Sequence, residues 1–138
     1  MIIADTGFWL ALANAKDRFH RAATEALDRV REPLICTWPV MTETCHVLAA
    51  RLSVEAELAF VRSASAGAFR VFDLELRHLE RIQVLMEKYR DLPMDLADAS
   101  LVILAEELGT GRILSTDQRE LRAYRWKTRK PFRNLLAL

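Results

Sequence analysis

The sequence predicts an α/β fold in which a mainly parallel sheet is covered by helices on both faces. Short apolar runs recur along the chain, and each is followed by a segment whose apolar residues repeat every three or four positions. Strands that alternate with helices favour parallel pairing with right-handed crossovers. No internal repeat, low-complexity segment or linker interrupts this pattern, so we expect one domain over residues 1–138.

The first part of the chain predicts two strands and three helices. The apolar run MIIAD at 1–5 is typical of a strand buried on both faces, and Thr6 is predicted to cap the helix after it. A second helix begins at Phe19, because the apolar residues that follow lie three and four positions apart. The run LICT at 34–37 predicts a strand, and Pro39 suits the first turn of the third helix.

The second part of the chain continues the alternation. A helix is predicted from 53 to the glycine break at 67, and FRVFDL at 69–74 predicts a third strand. A helical stripe follows over 79–89. The almost wholly apolar segment 92–109 predicts a buried helix that ends at a glycine, and RILST at 112–116 predicts a fourth strand.

Composition excludes several classes of protein. Hydrophobic residues make up 51% of the chain and charged residues 28%, which excludes disordered, collagen-like and disulfide-scaffold proteins. The apolar N-terminal run is far shorter than a membrane span, contains Asp5 and lacks a basic leader, so neither export nor anchoring is expected. Cys36 and Cys45 form no C-x-x-C motif and no zinc-ligand spacing with the histidines, which favours reduced thiols in a cytoplasmic protein.

Positive charge is concentrated at the C-terminal end. From Arg112 onward eight basic residues stand against two acidic ones, a local charge of +6 in a chain whose net charge is +1. The segment RAYRWKTRKPFRN interleaves basic and aromatic residues, a mixture that can hold phosphates and stack on unpaired bases. A solvated charged face whose aromatic residues anchor a last strand is an equally good interpretation. The cations predicted to contact a nucleic acid are Arg125, Lys127, Arg129 and Lys130.

Four acidic residues are expected at one edge of the sheet. Asp5 ends the first strand, Asp117 follows the fourth, Glu43 lies in the first turns of a helix, and Asp98 opens the apolar helix. Carboxyl ends of parallel strands and N-termini of helices share the edge at which such sheets bind ligands. Buried carboxylates repel one another unless a cation joins them, and an all-oxygen set suits a hard cation such as Mg²⁺. A phosphate ester is the substrate that fits such an ion.

Helix capping is the competing interpretation of each acid. Asp95 is well placed as an N-cap, and we prefer that role for it. Asp98 would then occupy the third helical position, where a negative charge favours the helix dipole, although its place in the convergent set favours metal binding. Asp5 is also a typical cap of the first helix, and Asp117 with Glu120 in TDQRE fits a capping box. Asp73 ends a predicted strand, so this reasoning alone does not exclude it from the cluster.

The order of four short motifs resembles that of the PIN-domain endonucleases. The motifs are I-A-D-T at the N-terminus, T-E in a mid-chain helix, A-D-A-S at the start of a late apolar helix, and L-S-T-D after it. The similarity covers nearly the whole chain and is strongest to the small VapC-type toxins of bacterial toxin–antitoxin pairs. It implies a PIN-like three-layer sandwich, with a mainly parallel central sheet of four or five strands flanked by helices. It also implies a metal-dependent endoribonuclease that is the toxin of a type II pair.

The resemblance assigns roles to individual residues. The acids that it implies as catalytic ligands of Mg²⁺ or Mn²⁺ are Asp5, Glu43, Asp98 and Asp117. Those expected to support them through hydrogen bonds are Thr6, Asp95 and Ser115. Many relatives carry Thr or Ser two positions before the last acid, and here Ser115 takes that place while Thr116 takes the variable one. The implied partners are an RNA substrate, a cognate antitoxin and a second copy of the chain.

Two other classes of function remain open on the sequence alone. A receiver-like signalling module would also have an acidic, Mg²⁺-binding edge. It usually has paired acids after its first strand and a Lys after a late one, whereas here Asp5 is followed by Thr6 and RILST has no Lys. A non-catalytic RNA-binding protein with a vestigial acidic site would rely on the basic C-terminal end.

Overall fold

The central sheet of this computed structural model, which describes residues 1–136, has five parallel strands. The described residues form seven strands, five of them in this sheet. In chain order they are β1 (Ile2–Ala4), β2 (Leu34–Thr37), β3 (Arg70–Phe72), β4 (Arg112–Leu114), β5 (Arg125–Trp126), β6 (Lys130–Pro131) and β7 (Arg133–Asn134). The sheet order is β3-β2-β1-β4-β7, and every pairing in it is parallel. Strands β5 and β6 form a separate antiparallel hairpin. The predicted α/β class with a parallel central sheet is confirmed.

Helices flank this sheet, and the first six of the described chain begin close to the predicted positions, whereas α7 was not predicted. They are α1 (Thr6–Ala13), α2 (His20–Arg29), α3 (Trp38–Arg51), α4 (Val54–Ser65), α5 (Leu79–Lys88), α6 (Leu96–Leu108) and α7 (Gln118–Ala123). The side chains of Thr37 and Ser53 accept backbone N–H groups at the starts of α3 and α4, as hydroxyl caps do. Helix α6 ends at Gly109 with φ +70°, a left-handed conformation that glycine adopts without strain.

One predicted cap was wrong. Asp5, rather than Thr6, is the N-cap of α1: its backbone is extended, and its carboxylate accepts the N–H of Phe8 at 3.1 Å. Thr6 is therefore the first helical residue. The reason is that a carboxylate at the end of β1 already reaches the third N–H of the helix, which leaves no capping role for the hydroxyl.

Helix α6 is the most deeply buried helix of the described chain. Ala97 and all residues from Ala99 to Ala105 are buried, and the helix contacts both β2 and β1 at the middle of the sheet. Although α6 is almost wholly apolar, no helix within residues 1–136 has the length and hydropathy needed to cross a membrane. Burial of α6 against β1 and β2 carries the two acids of its first turn to the carboxyl edge of the sheet.

Candidate metal centre

Four acidic residues line one cavity of about 230 Å³ at the carboxyl edge of the central strands. Strands β1 and β4 are paired in parallel, so the residues that follow them lie side by side, and the first turns of α3 and α6 supply the other two acids. The acids are Asp5, Glu43, Asp98 and Asp117. The structure thus brings together the four acids singled out in the sequence. Asp73 does not line this cavity, and its carboxylate accepts the indole N–H of Trp38 at 2.6 Å.

Both carboxylate oxygens of Asp5 are held by protein donors. Oδ1 accepts the N–H of Phe8 at 3.1 Å, and Oδ2 accepts the hydroxyl of Ser115. The Asp5 N–H in turn donates to the carbonyl of Leu114, 3.2 Å away. Burial raises the pKa of Asp5 to about 6, and the charge of Glu43 adds to this effect, while the two hydrogen bonds oppose it.

Asp98 forms a reciprocal cap with Asp95 at the start of α6. The Asp98 N–H donates to Asp95 Oδ1 at 2.8 Å, and the Asp95 N–H donates to Asp98 Oδ2 at 3.2 Å. The hydroxyl of Tyr124 donates to the same Oδ2 at 3.4 Å. Burial raises the pKa of Asp98 to about 7, with further contributions from the charges of Asp95 and Glu43. Asp95 therefore acts as the cap that we preferred, and it holds Asp98 as well.

Asp117 is coupled to Asp5 through a single hydroxyl. The Asp117 N–H donates to Ser115 Oγ at 3.0 Å, and that Oγ donates to Asp5. Asp117 also caps α7, because its Oδ1 accepts the N–H of Glu120 at 3.4 Å. Burial raises the pKa of Asp117 to about 6, and the neighbouring Glu120 and Asp5 contribute. The hydroxyl of Ser115 thus lies between the residues that follow β1 and β4.

The floor of the cavity is closely packed around Thr6 and Gly7. The hydroxyl oxygen of Thr6 is buried and has no hydrogen-bond partner among residues 1–136, although Thr6 lines the cavity with the four acids. A Cβ on Gly7 would collide with the hydroxyl oxygen of Thr116 and would lie 3.6 Å from Asp5 Oδ1. Glycine at position 7 therefore leaves room for the Thr116 side chain as α1 approaches the segment after β4. The hydroxyl of Thr6 therefore does not support any of the four acids through a hydrogen bond in this structure.

The chemistry of this cavity fits a divalent cation. Its donors are carboxylate and hydroxyl oxygens, which hard cations prefer. The raised pKa values of Asp5, Asp98 and Asp117 mean that ionising all three near neutral pH costs free energy, which a bound cation would offset. Within residues 1–136, no three side chains of His, Cys, Asp or Glu are grouped tightly enough to hold a metal ion by themselves. Waters and a phosphate oxygen are the usual ligands that complete a Mg²⁺ shell of one or two carboxylates.

The basic C-terminal end forms the β5–β6 hairpin. Its turn contains Lys127 and Thr128, both at positive φ, and the N–H of Lys127 donates to the Glu106 carboxylate. Side chains of the predicted cations Lys127, Arg129 and Lys130 are exposed. Arg125 is different, because its guanidinium donates to the main-chain carbonyls of Arg122 and Tyr124 at 2.6 and 2.9 Å.

The aromatic residues of this segment do not offer faces to unpaired bases. Tyr124 and Trp126 are buried, and Phe132 is partly buried. The Nζ atoms of Lys127 and Lys130 lie 5.9 and 5.0 Å from the ring centre of Trp126, so this indole supports the cations. Their burial favours the interpretation in which aromatic side chains anchor the segment, and contact of the cations with a nucleic acid stays a prediction.

Three contacts at the site were missed in the sequence. Tyr124 reaches Asp98 from the end of α7, Glu120 lines a narrow cleft of about 20 Å³ beside three of the four acids, and Asn134 bonds both backbone groups of Ser115. A possible capping pair of Asp117 with Glu120 was the one available signal. The contacts of Tyr124 and Asn134 follow from tertiary packing, for which the local pattern carries no signal.

Two proteins of Mycobacterium tuberculosis are similar to this chain. Ribonuclease VapC26 of Mycobacterium tuberculosis is 32% identical over 124 residues, which cover 90% of this chain and 92% of that protein. The crystal structure of Mycobacterium tuberculosis VapC20, a sarcin-ricin loop cleaving toxin, superposes with a TM-score of 0.80. The match covers 86% of this chain and 92% of the VapC20 chain. Because the two sequences are 21% identical, it shows a likeness of fold. A description of the PIN domain matches residues 2–127, and the chain therefore belongs to the PIN-domain family.

Proposed function

We propose that this chain is a metal-dependent endoribonuclease that hydrolyses RNA phosphodiester bonds as the toxin of a type II toxin–antitoxin pair. The observation that carries the proposal is the cavity lined by four acids at the edge where parallel α/β sheets bind ligands. Membership of the PIN-domain family supports nuclease chemistry. Similarity to a ribonuclease over nine-tenths of the chain supports RNA as the substrate.

The cofactor is Mg²⁺ or Mn²⁺. Asp5 and Asp98 are its main ligands, because both are partly buried carboxylates fixed by hydrogen bonds. Glu43 and Asp117 complete the site directly or through water. Three of these acids have raised pKa values, so binding of the ion must displace protons, and affinity rises with pH between about 5 and 8.

Within this cavity, the chain positions groups for hydrolysis. A bound divalent cation would supply Lewis acidity, which neutralises charge on a phosphodiester and makes a water more acidic. Ser115 fixes one oxygen of Asp5, and the Asp95 N–H fixes one oxygen of Asp98, so neither carboxylate has to reorganise when substrate arrives. Glu43 and Asp117 orient the attacking water. The unpartnered Thr6 hydroxyl is available to a phosphate oxygen or a water.

RNA is held by the exposed cations of the β5–β6 hairpin. Glu106 accepts the Lys127 N–H and also two guanidinium bonds from Arg81, at 3.3 and 3.0 Å, so the turn is tied to α5 and α6. Arg125 supports the hairpin through main-chain carbonyls and contributes charge. The cations that contact phosphates are Lys127, Arg129 and Lys130.

A second copy of the chain covers the large groove beside the acid cavity. This groove, of about 780 Å³, lies between α3, α5 and the start of α6, and Glu43 lines both it and the cavity. Its walls carry exposed apolar side chains, of which Leu76 is 83% exposed. Contiguous exposed apolar surface marks interaction sites, and a self-complementary patch forms two-fold dimers. Leu76→Asp is expected to convert a dimer into a monomer in sedimentation; a monomeric wild-type protein at tens of micromolar would contradict the dimer.

The antitoxin covers the outward face of α4. Three exposed apolar residues lie along this face at helical spacing, namely Val54, Leu58 and Val61. The opposite face of α4 already packs into the core through Phe60. Leu58→Asp should leave RNA cleavage intact and prevent the co-expressed antitoxin from suppressing it. Full suppression of this variant would place the antitoxin elsewhere.

The decisive experiment compares an acid that lines the cavity with an acid that lies off it. Purified protein should cleave RNA in the presence of Mg²⁺ or Mn²⁺, and cleavage should stop when EDTA is added. Asp98→Asn, which keeps a cap at the start of α6, should abolish cleavage with an unchanged circular dichroism spectrum. Asp73→Asn is the matched control, because Asp73 lies off the cavity and Asn still accepts from Trp38. Equal cleavage by wild type and Asp98→Asn would reject the site.

A further inference from the structure

The side chain of Asn134 pairs with Ser115 as a second strand would. Its Oδ1 accepts the Ser115 N–H at 3.1 Å, and its Nδ2 donates to the Ser115 carbonyl at 2.9 Å. The same Oδ1 accepts the N–H of Leu136 at 3.1 Å. One amide group therefore satisfies both backbone groups of Ser115, a residue with no exposed surface.

This pairing lies where the backbone ladder ends. Strand β4 stops at Leu114, and its pairing with β7 matches Arg112 with Arg133 and Ile113 with Asn134. The N–H of Leu135 then donates to the carbonyl of Ile113 at 2.7 Å. Ser115 is the next residue beyond the strand. Asn134 thus extends the parallel pairing past the end of β4 by means of a side chain.

The residue that Asn134 fixes is the one that bridges two of the acids. Ser115 Oγ donates to Asp5 Oδ2 and accepts the N–H of Asp117 at 3.0 Å. Displacement of the Ser115 backbone would move this oxygen away from both. Asn134 itself lines a different cavity, together with Gln118 and Arg122 of α7, so its influence on the acids passes through Ser115.

We propose that Asn134 is a positioning residue of the acid cavity, which holds Ser115 so that its hydroxyl fixes Asp5 and Asp117. The proposal rests on the metal-dependent function proposed above and extends it to the last strand of the sheet. Hydrogen-bonding partners of metal ligands typically change metal affinity by 10- to 100-fold when they are removed. Asn134→Ala is therefore expected to lower the affinity for Mn²⁺ by about tenfold or more.

The test measures Mn²⁺ binding to the metal-free chain by isothermal titration. Leu135→Ala is the matched control, because it removes packing from the same C-terminal segment while leaving the Asn134 amide in place. It should lower the melting temperature and leave the Mn²⁺ affinity unchanged. Amide exchange gives a readout without metal. The N–H groups of Ser115 and Asp117 should exchange faster in Asn134→Ala than in Leu135→Ala, because Asn134→Ala removes the acceptor of the Ser115 N–H and lets the Ser115 hydroxyl, which accepts the Asp117 N–H, move.

A double-mutant cycle shows whether Asn134 acts through Ser115. Ser115→Ala should lower the Mn²⁺ affinity by a similar factor, and adding Asn134→Ala to it should cause no further loss. The positioning role would be overturned if the losses of Mn²⁺ affinity in the two single variants multiplied in the double variant. It would also be overturned if Asn134→Ala and Leu135→Ala lost affinity equally. If the wild type binds Mn²⁺ and cleaves RNA but Asn134→Ala has unchanged Mn²⁺ affinity, the positioning role is overturned and the proposed function stands. A wild type that binds no Mn²⁺ would overturn both.

Discussion

Replacement of Asp5 by Asn should stabilise the metal-free protein at alkaline pH while abolishing RNA cleavage. Burial raises the pKa of Asp5 from 3.8 to about 6. Because this native pKa lies above the unfolded value, the native state binds the proton more tightly than the unfolded state does. The stability that the protonated side chain contributes is complete below about pH 4 and is lost as the pH rises through about 6.

The size of the effect follows from this shift and from two hydrogen bonds. A change of about two pKa units corresponds to at most about 3 kcal/mol of lost stability near pH 8, since Asp5 keeps part of its surface in solvent. Asn removes this cost but has one acceptor oxygen, so Phe8 N–H or Ser115 Oγ loses its partner, at about 1–1.5 kcal/mol. The net gain is about 1–2 kcal/mol near pH 8, or roughly 3–8 °C in melting temperature.

Calorimetric unfolding in EDTA at about pH 3 and pH 8 checks this prediction. Near pH 3 the carboxyl is protonated in the native and the unfolded state, so the sign reverses and Asp5→Asn is less stable by about 1 kcal/mol. Addition of Mn²⁺ at pH 8 should stabilise the wild type by mass action and leave the variant unchanged. An Asp5→Asn variant that is less stable than wild type in EDTA at both pH values would refute the reasoning.

Three further predictions concern the surroundings of the cavity. Tyr124→Phe should lower the affinity for Mn²⁺ about tenfold, because Asp98 loses a hydrogen-bond donor. Tyr89→Phe is the control: it frees the backbone N–H of Arg125 and should lower only the melting temperature. Isothermal titration measures the affinity, and calorimetric unfolding measures the melting temperature. Gly7→Ala should cost about 1–3 kcal/mol and reduce cleavage through its collision with Thr116, and Thr116→Ala in the same chain should restore both. In the inactive Asp98→Asn background, each exposed cation of the hairpin is replaced by alanine in turn. Each replacement should reduce the slope of log affinity for single-stranded RNA against log salt concentration by about 0.7. Unchanged slopes would show that RNA binds elsewhere. These cations are Lys127, Arg129 and Lys130.

The layout of the sheet and the four acids was accessible from the sequence because both follow from short-range patterns. LICT at 34–37 is a strand over the predicted residues, since an apolar run between a helix and Pro39 leaves little choice of boundary. Parallel pairing then places the residues after β1 and β4 together without further information. The cap of α1 was misassigned because Asp5 and Thr6 are adjacent and both are good capping residues.

The remaining features depend on contacts between distant parts of the chain. Tyr124 and Asp98 are separated by 26 positions, and Asn134 and Ser115 by 19, so no local periodicity connects them. Helix α7 has only six residues, too few for an apolar repeat to be recognised. Tyr124 and Trp126 were ambiguous for a related reason: an aromatic residue among cations can face solvent or core, and only packing decides.

Three of the four acids also secure the start of a helix: Asp5 for α1, Asp98 within the reciprocal cap of α6, and Asp117 for α7. Cells that escape the poisoning effect of an active toxin would therefore carry two kinds of lesion at these codons. Changes to Asn keep a side-chain oxygen that accepts a backbone N–H of the helix, and they should yield a folded but inactive protein. Changes to Ala or Val also fray a helix, so the mutant protein should be cleared by proteolysis and fail to titrate its antitoxin.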